Sequence, residues 1–179
     1  MNSEPSFEES SGLFQSESSQ MHEAVESALR SEKLPVSEII QVYYQVMKVS
    51  SISKLLGESF PYTETGDQAT AIKDIYKDMV SPGLMDRLII GDVGYGKTEV
   101  ALRAAAKAAV SGVFVMVVVP TTILANQHYI SFKNRLGSFG VTVEMLSRFI
   151  TLKKQKEIIN NIINKKVDIL VGTHKLLSD

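Results

Sequence analysis

Eight residues, Gly91-Asp92-Val93-Gly94-Tyr95-Gly96-Lys97-Thr98, spell a complete phosphate-binding loop of the form G-x-x-x-x-G-K-T. Glycines in such a loop let backbone N–H groups turn inward around an anion. The lysine, Lys97, reaches β- and γ-phosphates, and the hydroxyl of Thr98 can ligate Mg²⁺. A glycine turn that binds nothing could match the same pattern, so the flanks decide. Arg87-Leu88-Ile89-Ile90 before the loop reads as a short buried strand. The alanine-rich stretch from Thr98 to Val110 after it offers Val100, Leu102 and Ala106 for the inward side of a helix. Strand, glycine loop and helix in that order predict a nucleotide-binding α/β fold with Mg²⁺ beside the phosphates.

Beyond the loop, helix-period and strand-like segments alternate. The spacing predicts helices over about 67–79, 97–111, 122–136 and 151–163, and strands over 87–91, 113–119, 141–146 and 167–171. Short strands separated by helices indicate right-handed βαβ units and a parallel sheet flanked by helices. Ligands of such a sheet belong at the carboxyl ends of its strands. Two polar turns should emerge there beside the phosphate loop: Pro120-Thr121-Thr122-Ile123-Leu124-Ala125-Asn126-Gln127-His128 and Gly172-Thr173-His174-Lys175-Leu176-Leu177. Small hydroxyls and N–H groups at helix starts suit nucleic-acid phosphates, because they donate at close range without reading bases. Thr121, Thr122 and Thr173 are equally suited to capping helices.

The 179 residues allow one domain with a sizeable core, and 44% hydrophobic content is ordinary for a globular chain. No apolar run approaches the roughly 18 to 20 residues of a membrane span, the longest being 113–119. There is no cysteine, hence no disulfide, thiolate metal site or cysteine nucleophile. The N-terminus lacks the basic-then-apolar order of a secretory signal, and its glutamates argue against a transit peptide, so a cytoplasmic location is expected. Net charge is −1 but uneven: residues 1–59 sum to −5 and residues 60–179 to +4, a mildly basic lobe around the loop. Lys153, Lys154 and Lys156 read as the solvated face of a helix rather than a nucleic-acid patch.

Residues 1–20 are rich in serine and glutamate, with scattered Phe7, Leu13 and Phe14, and are expected to be disordered. Residues 21–57 form a helical extension in this reading: a short helix at 21–31, then an amphipathic helix from Pro35 to Leu56 with Gly57 as its cap. Residues 58–179 form the nucleotide-binding domain.

Phe60-Pro61-Tyr62 through Asp67-Gln68, Met85-Asp86-Arg87-Leu88, GDVGYGKTEVALRAA at 91–105, PTTILANQH at 120–128, Leu146-Ser147-Arg148-Phe149 and GTHKLL at 172–177 together resemble the first motor lobe of the bacterial transcription-repair coupling factors. These are superfamily 2, RecG-like DNA translocases with a RecA-like fold. Tyr95 and the Leu-Ser-Arg-Phe run favour the coupling factors over the RecG fork helicase. The resemblance implies ATP-driven movement on double-stranded DNA and, in the intact family member, displacement of stalled RNA polymerase. It implies that Lys97 and Thr98 hold phosphate and Mg²⁺, and that Gln68 and the upstream ring of Phe60 recognise adenine. It also implies that Thr121, Thr122, Gln127, Arg148, Thr173 and His174 lie in motifs that touch one DNA strand's backbone.

Several features qualify these implications. Thr65-Gly66-Asp67-Gln68 is also a T-x-x-Q capping box, in which Gln68 serves the helix start. Gly66 stands where the family usually has proline. Residues 1–57 do not resemble what precedes the motor in the coupling factors. The acidic Asp-Glu-x-x motif, the second lobe and its arginine finger are not among these 179 residues. The domain is therefore expected to be a partial helicase ATP-binding domain, its sheet incomplete, that hydrolyses ATP poorly on its own. A RecG-like fragment and an inactive nucleotide- or DNA-binding remnant are the alternatives.

Overall fold

The computed structural model describes residue 49 and residues 51–177. The expected tail at 1–20, the short helix at 21–31 and most of the helix begun at Pro35 lie outside them. Chain contacts separate the residues from Ile52 onward as a unit, and the fold is that unit's. Its first stretch is helical through residue 58, with Ile52 and Leu56 buried one turn apart. Gly57 does not cap this helix as expected. It is not among the positive-φ glycines, and a Cβ there would lie 3.6 Å from an Arg103 Nη1.

Helix α1 spans Gly66–Val80 and opens on the expected capping box: Thr65 Oγ1 accepts from the Gln68 N–H, and Gln68 Oε1 accepts from the Thr65 N–H. Helix α2 spans Lys97–Val110, and Val100, Leu102 and Ala106 are buried as the periodicity predicts. Ile72 and Ile75 of α1 and Val100 of α2 form a shared cluster, with Tyr76, Met79 and Ile89 packed against it.

Three parallel strands follow: β1 (Val115–Val118), β2 (Val143–Leu146) and β3 (Ile169–Gly172), in the spatial order β1-β3-β2. Helix α3 (Thr122–Leu136) crosses from β1 to β2, and α4 (Leu152–Ile163) from β2 to β3. The latest strand in sequence is thus the central one, and all four of its residues are buried. Phe132 and Leu136 of α3, Ile158 of α4 and Ile169 and Val171 of β3 are the largest fully buried side chains of this layer. Lys153 and Lys156 are exposed, and Lys154 pairs with Glu157 at 2.7 Å, as a solvated helix face requires. Among the described residues no helix is long and apolar enough to cross a membrane.

One predicted strand is absent. Residues 87–91 are irregular and join no sheet among the described residues. Leu88 and Ile90 are 81% and 86% exposed. The segment is held by other means: Ile89 enters the α1–α2 cluster, and Arg87 Nε donates to Asp78 Oδ2 at 2.6 Å. A strand needs a neighbouring backbone to satisfy its N–H and C=O groups, and an apolar run alone does not supply one.

Candidate nucleotide and nucleic-acid site

The phosphate loop is built by its glycines. Gly94 and Gly96 have φ of 89° and 72°, in the left-handed region that other residues enter at a cost. Gly96 is also the N-cap of α2, and no side chain caps that helix. The Glu99 N–H donates to the Gly96 carbonyl at 2.9 Å, and the amides of Lys97 and Thr98, at the positive end of the helix dipole, are left for an external acceptor. Lys97 is exposed, and its Nζ donates to the backbone carbonyls of Gly91 and Asp92. Neither partner is an anion, so the full charge of the ammonium is available to a phosphate. Thr98, the residue suited to Mg²⁺, is exposed beside it, and no cluster of three or more His, Cys, Asp or Glu among the described residues offers a competing metal site. Uncapped amides, a lysine with no counter-ion among the described residues and an exposed hydroxyl are a donor set that fits Mg·ATP. Around them Asp92, Val93 and Tyr95 are exposed on the loop.

Gln68 sits between helix and loop. Besides its capping bonds, its Nε2 donates to the carbonyl of Tyr95 at 2.8 Å. A Cβ added to Gly96 would come within 2.2 Å of that nitrogen, so the Gln68 amide would have to leave the loop, while the φ of 72° is what calls for glycine. The capping role of Gln68 is therefore realised, and one side chain ties the start of α1 to the phosphate loop.

The two upstream aromatics have different surroundings. Phe60 lies with the guanidinium carbons of Arg103 and Arg135 at 5.7 Å and 5.6 Å from its ring centre. Tyr62, edge-on to Phe60 at 5.6 Å, is 75% exposed. The ring that the resemblance singled out is half-buried and flanked by two guanidinium groups, and its neighbour is the more exposed of the two.

Behind the loop helix lies an ion network that motif reading missed. Glu99 accepts from Arg103 Nε at 2.9 Å and from Arg135 Nη1 at 2.6 Å, and Arg103 Nη1 reaches Glu64 at 2.7 Å. Arg135 Nη2 also donates to the carbonyl of Leu56 at 3.1 Å. Burial pulls the Arg103 guanidinium toward neutrality, but hydrogen bonds to Glu99 and Glu64 outweigh it and raise its pKa. The Glu99–Arg103 spacing of four residues was the only visible signal.

The sheet brings the remaining candidates together. Val118 of β1 and Leu146 of β2 are both level with Gly172 of β3, so the three strands end side by side. Thr121 and Thr122 follow the first, Arg148 the second, Thr173 and His174 the third. Helix α2 turns back into β1 through Ser111 and Gly112, which puts its N-terminus toward the same carboxyl edge. Thr121 caps α3 by accepting from the Leu124 N–H at 3.2 Å, the bond its alternative role required. Gln127, Arg148 and His174 are exposed, with Arg148 over the ring of Phe149 at 4.9 Å. The Thr173 carbonyl accepts from the Leu176 N–H at 2.8 Å, closing the turn after β3.

Comparison with known proteins agrees with this geometry. Residues 65–179 match the model of the DEAD/DEAH box helicase family. The chain is similar to the transcription-repair-coupling factor of Haemophilus influenzae, 56% identical over 119 residues that make up 66% of this chain and 10% of that protein. It is similar also to that of Escherichia coli, 51% identical over 124 residues, or 69% of this chain and 11% of that one. A solved structure of RecG bound to a three-way DNA junction superposes with a TM-score of 0.67 at 34% identity, covering 71% of this chain and 17% of RecG. The chain thus spans about a tenth of the length of the curated relatives it matches. A phosphate loop feeding an uncapped helix, a parallel sheet with level strand ends and a family match from residue 65 onward converge on one conclusion: the chain belongs to the DEAD/DEAH box helicase family.

Proposed function

We propose that residues 58–179 are the ATP-binding part of the first motor lobe of a superfamily 2 DNA translocase of the coupling-factor type. In the longer protein this lobe would use ATP to move on duplex DNA and displace stalled RNA polymerase. The observation that carries the reading is the uncapped N-terminus of α2 with Lys97 bonded, among the described residues, to loop carbonyls. Bound ATP would supply the phosphoryl group whose transfer drives movement. This chain's residues would hold it: Lys97 and the α2 amides on the phosphates, Thr98 on Mg²⁺. Gln68 retains one Nε2 hydrogen and one Oε1 lone pair, enough to pair with an adenine edge while capping α1. The ring of Tyr62, more exposed than Phe60 and with no guanidinium over it among the described residues, is the better placed to stack on the base.

The turns after β1, β2 and β3 would receive the phosphates of one DNA strand, through the hydroxyls of Thr122 and Thr173 and the side chains of Gln127, Arg148 and His174. Thr121 Oγ1 already takes one α3 amide, so Thr121 would contribute through the hydrogen of its hydroxyl. Affinity of this kind is low, independent of sequence and lost with salt, since counterions are released.

Calorimetry on the purified 179-residue chain tests the central claim. Mg·ADP is expected to bind, and Lys97→Ala to abolish binding. Equal affinity of the two proteins would end the nucleotide reading. Fluorescence titration of duplex DNA at increasing salt tests the second part, and affinity that holds steady with salt would contradict it.

A further inference from the structure

Glu99 is the third residue of the helix that opens on the phosphate loop, two positions after Lys97. A carboxylate at that position commonly swings back to the helix N-terminus and takes its free amides. Here it would compete with an incoming polyphosphate for the same donors and repel it. The structure turns it the other way. Its Oε1 accepts from Arg103 Nε and from Arg135 Nη2 at 3.1 Å, its Oε2 accepts from Arg135 Nη1, and the residue is only 6% exposed. The guanidinium groups have donors to spare: Arg103 Nη2 and Arg135 Nε are buried without a hydrogen-bond partner. Such a network costs desolvation and is a poor way to gain stability alone.

We propose that Arg135 and Arg103 mask the charge of Glu99, making them positioning residues for the phosphate loop: they hold a carboxylate away from amides that must accept an anion. This rests on the nucleotide reading above. It also gives a consequence the loop motif does not contain. Arg135 comes from α3, the helix that starts at Thr121 and Thr122, and the same guanidinium donates to Leu56 O near the end of the first helical stretch. Full nucleotide affinity therefore requires α3 and that stretch to be docked on α2.

Binding of Mg·ADP to the whole 179-residue chain, by calorimetry alongside thermal melting, tests the mask. Arg135→Gln leaves the carboxylate held by Arg103 alone, with Oε2 unpaired, and is expected to weaken binding about tenfold, equivalent to ~1.4 kcal/mol. Glu99→Gln removes the charge that needs masking. It is expected to bind Mg·ADP at least as tightly as the natural chain while melting lower, since the buried guanidinium of Arg103 and the half-buried one of Arg135 lose their carboxylate. The double substitution is expected to recover the affinity that Arg135→Gln loses. A purely structural role predicts the opposite for Glu99→Gln, with affinity falling alongside stability, and that result overturns the mask. So does a double variant no better than Arg135→Gln. Should Arg135→Gln not fold, Glu99→Gln decides by the sign of its affinity change. Absence of Lys97-dependent binding in the natural chain overturns the nucleotide reading and the mask with it, whereas Lys97-dependent binding that ignores Glu99 and Arg135 overturns the mask alone.

Discussion

Strand β3 and the run Arg87-Leu88-Ile89-Ile90 are alike in sequence, each a short apolar stretch delivering a glycine to a functional turn, and they end in opposite environments. β3 lies between β1 and β2, hydrogen-bonded on both edges and wholly buried. Residues 87–90 pair with nothing in the sheet, and only Ile89 is drawn into a core. The difference teaches that an apolar run becomes a strand through its neighbours. The phosphate loop is accordingly anchored by helices: through Ile89 to α1 and α2, through Arg87 to Asp78, and through Gln68 to the Tyr95 carbonyl.

The comparison breaks or sharpens at particular residues. Ile169→Ala, in the middle of the sheet, should lower the free energy of unfolding by about 2–5 kcal/mol in urea titration, because it opens a cavity in a fully buried position. A loss as small as a surface substitution would mean that β3 is not the centre of the fold. Gly172→Ala should cost about 1–3 kcal/mol. Its Cβ would lie 2.7 Å from the Leu146 carbonyl oxygen and 2.7 Å from Leu176 Cγ, so either the β2–β3 pairing or the turn beyond must shift. Chemical shifts confined to the turn would locate the adjustment there.

Smaller effects are expected on the loop side. Gly96→Ala places a Cβ in a left-handed conformation, which costs about 1–2 kcal/mol, and collides with Gln68 Nε2. It should also weaken Mg·ADP binding, which calorimetry would read; unchanged affinity would show that the Gln68–Tyr95 contact is dispensable. Smallest of all, Ile90→Ala should stay within about 0.5 kcal/mol of the natural chain, since the side chain is already in solvent. A cost near that of Ile169→Ala would show that residues 87–91 belong to a packed strand after all. Hydrogen exchange gives the same contrast: slow amides at Leu170 and Val171, fast ones at Leu88 and Ile90.

Much of the site was legible because its chemistry is local. The glycines of 91–96, Lys97 and Thr98 lie within eight residues, and the role proposed for each follows from backbone geometry or charge within one turn of the next. The Thr65–Gln68 capping box and the Thr121 cap could be read for the same reason, as could helix 122–136, whose bounds match α3. The aromatic assignment was harder. Phe60 and Tyr62 differ by two positions, and nothing in the sequence says that two arginines, at 103 and 135, will converge on the first ring.

Sequence alone determined what depends on neighbours along the chain: the phosphate loop, the helix caps, the alternation of helices with β1, β2 and β3, and the family to which they point. Tertiary structure decided what depends on partners far along the chain. Among the described residues it made the last strand the central one, left 87–91 without a ladder, exposed Tyr62 more than Phe60, and closed Arg135 onto Glu99 across 36 positions. The physical reason is the same in each case. Periodicity and capping report forces that act within a turn or two of backbone, whereas strand order, burial and ion pairing are settled only when packing brings distant segments within reach.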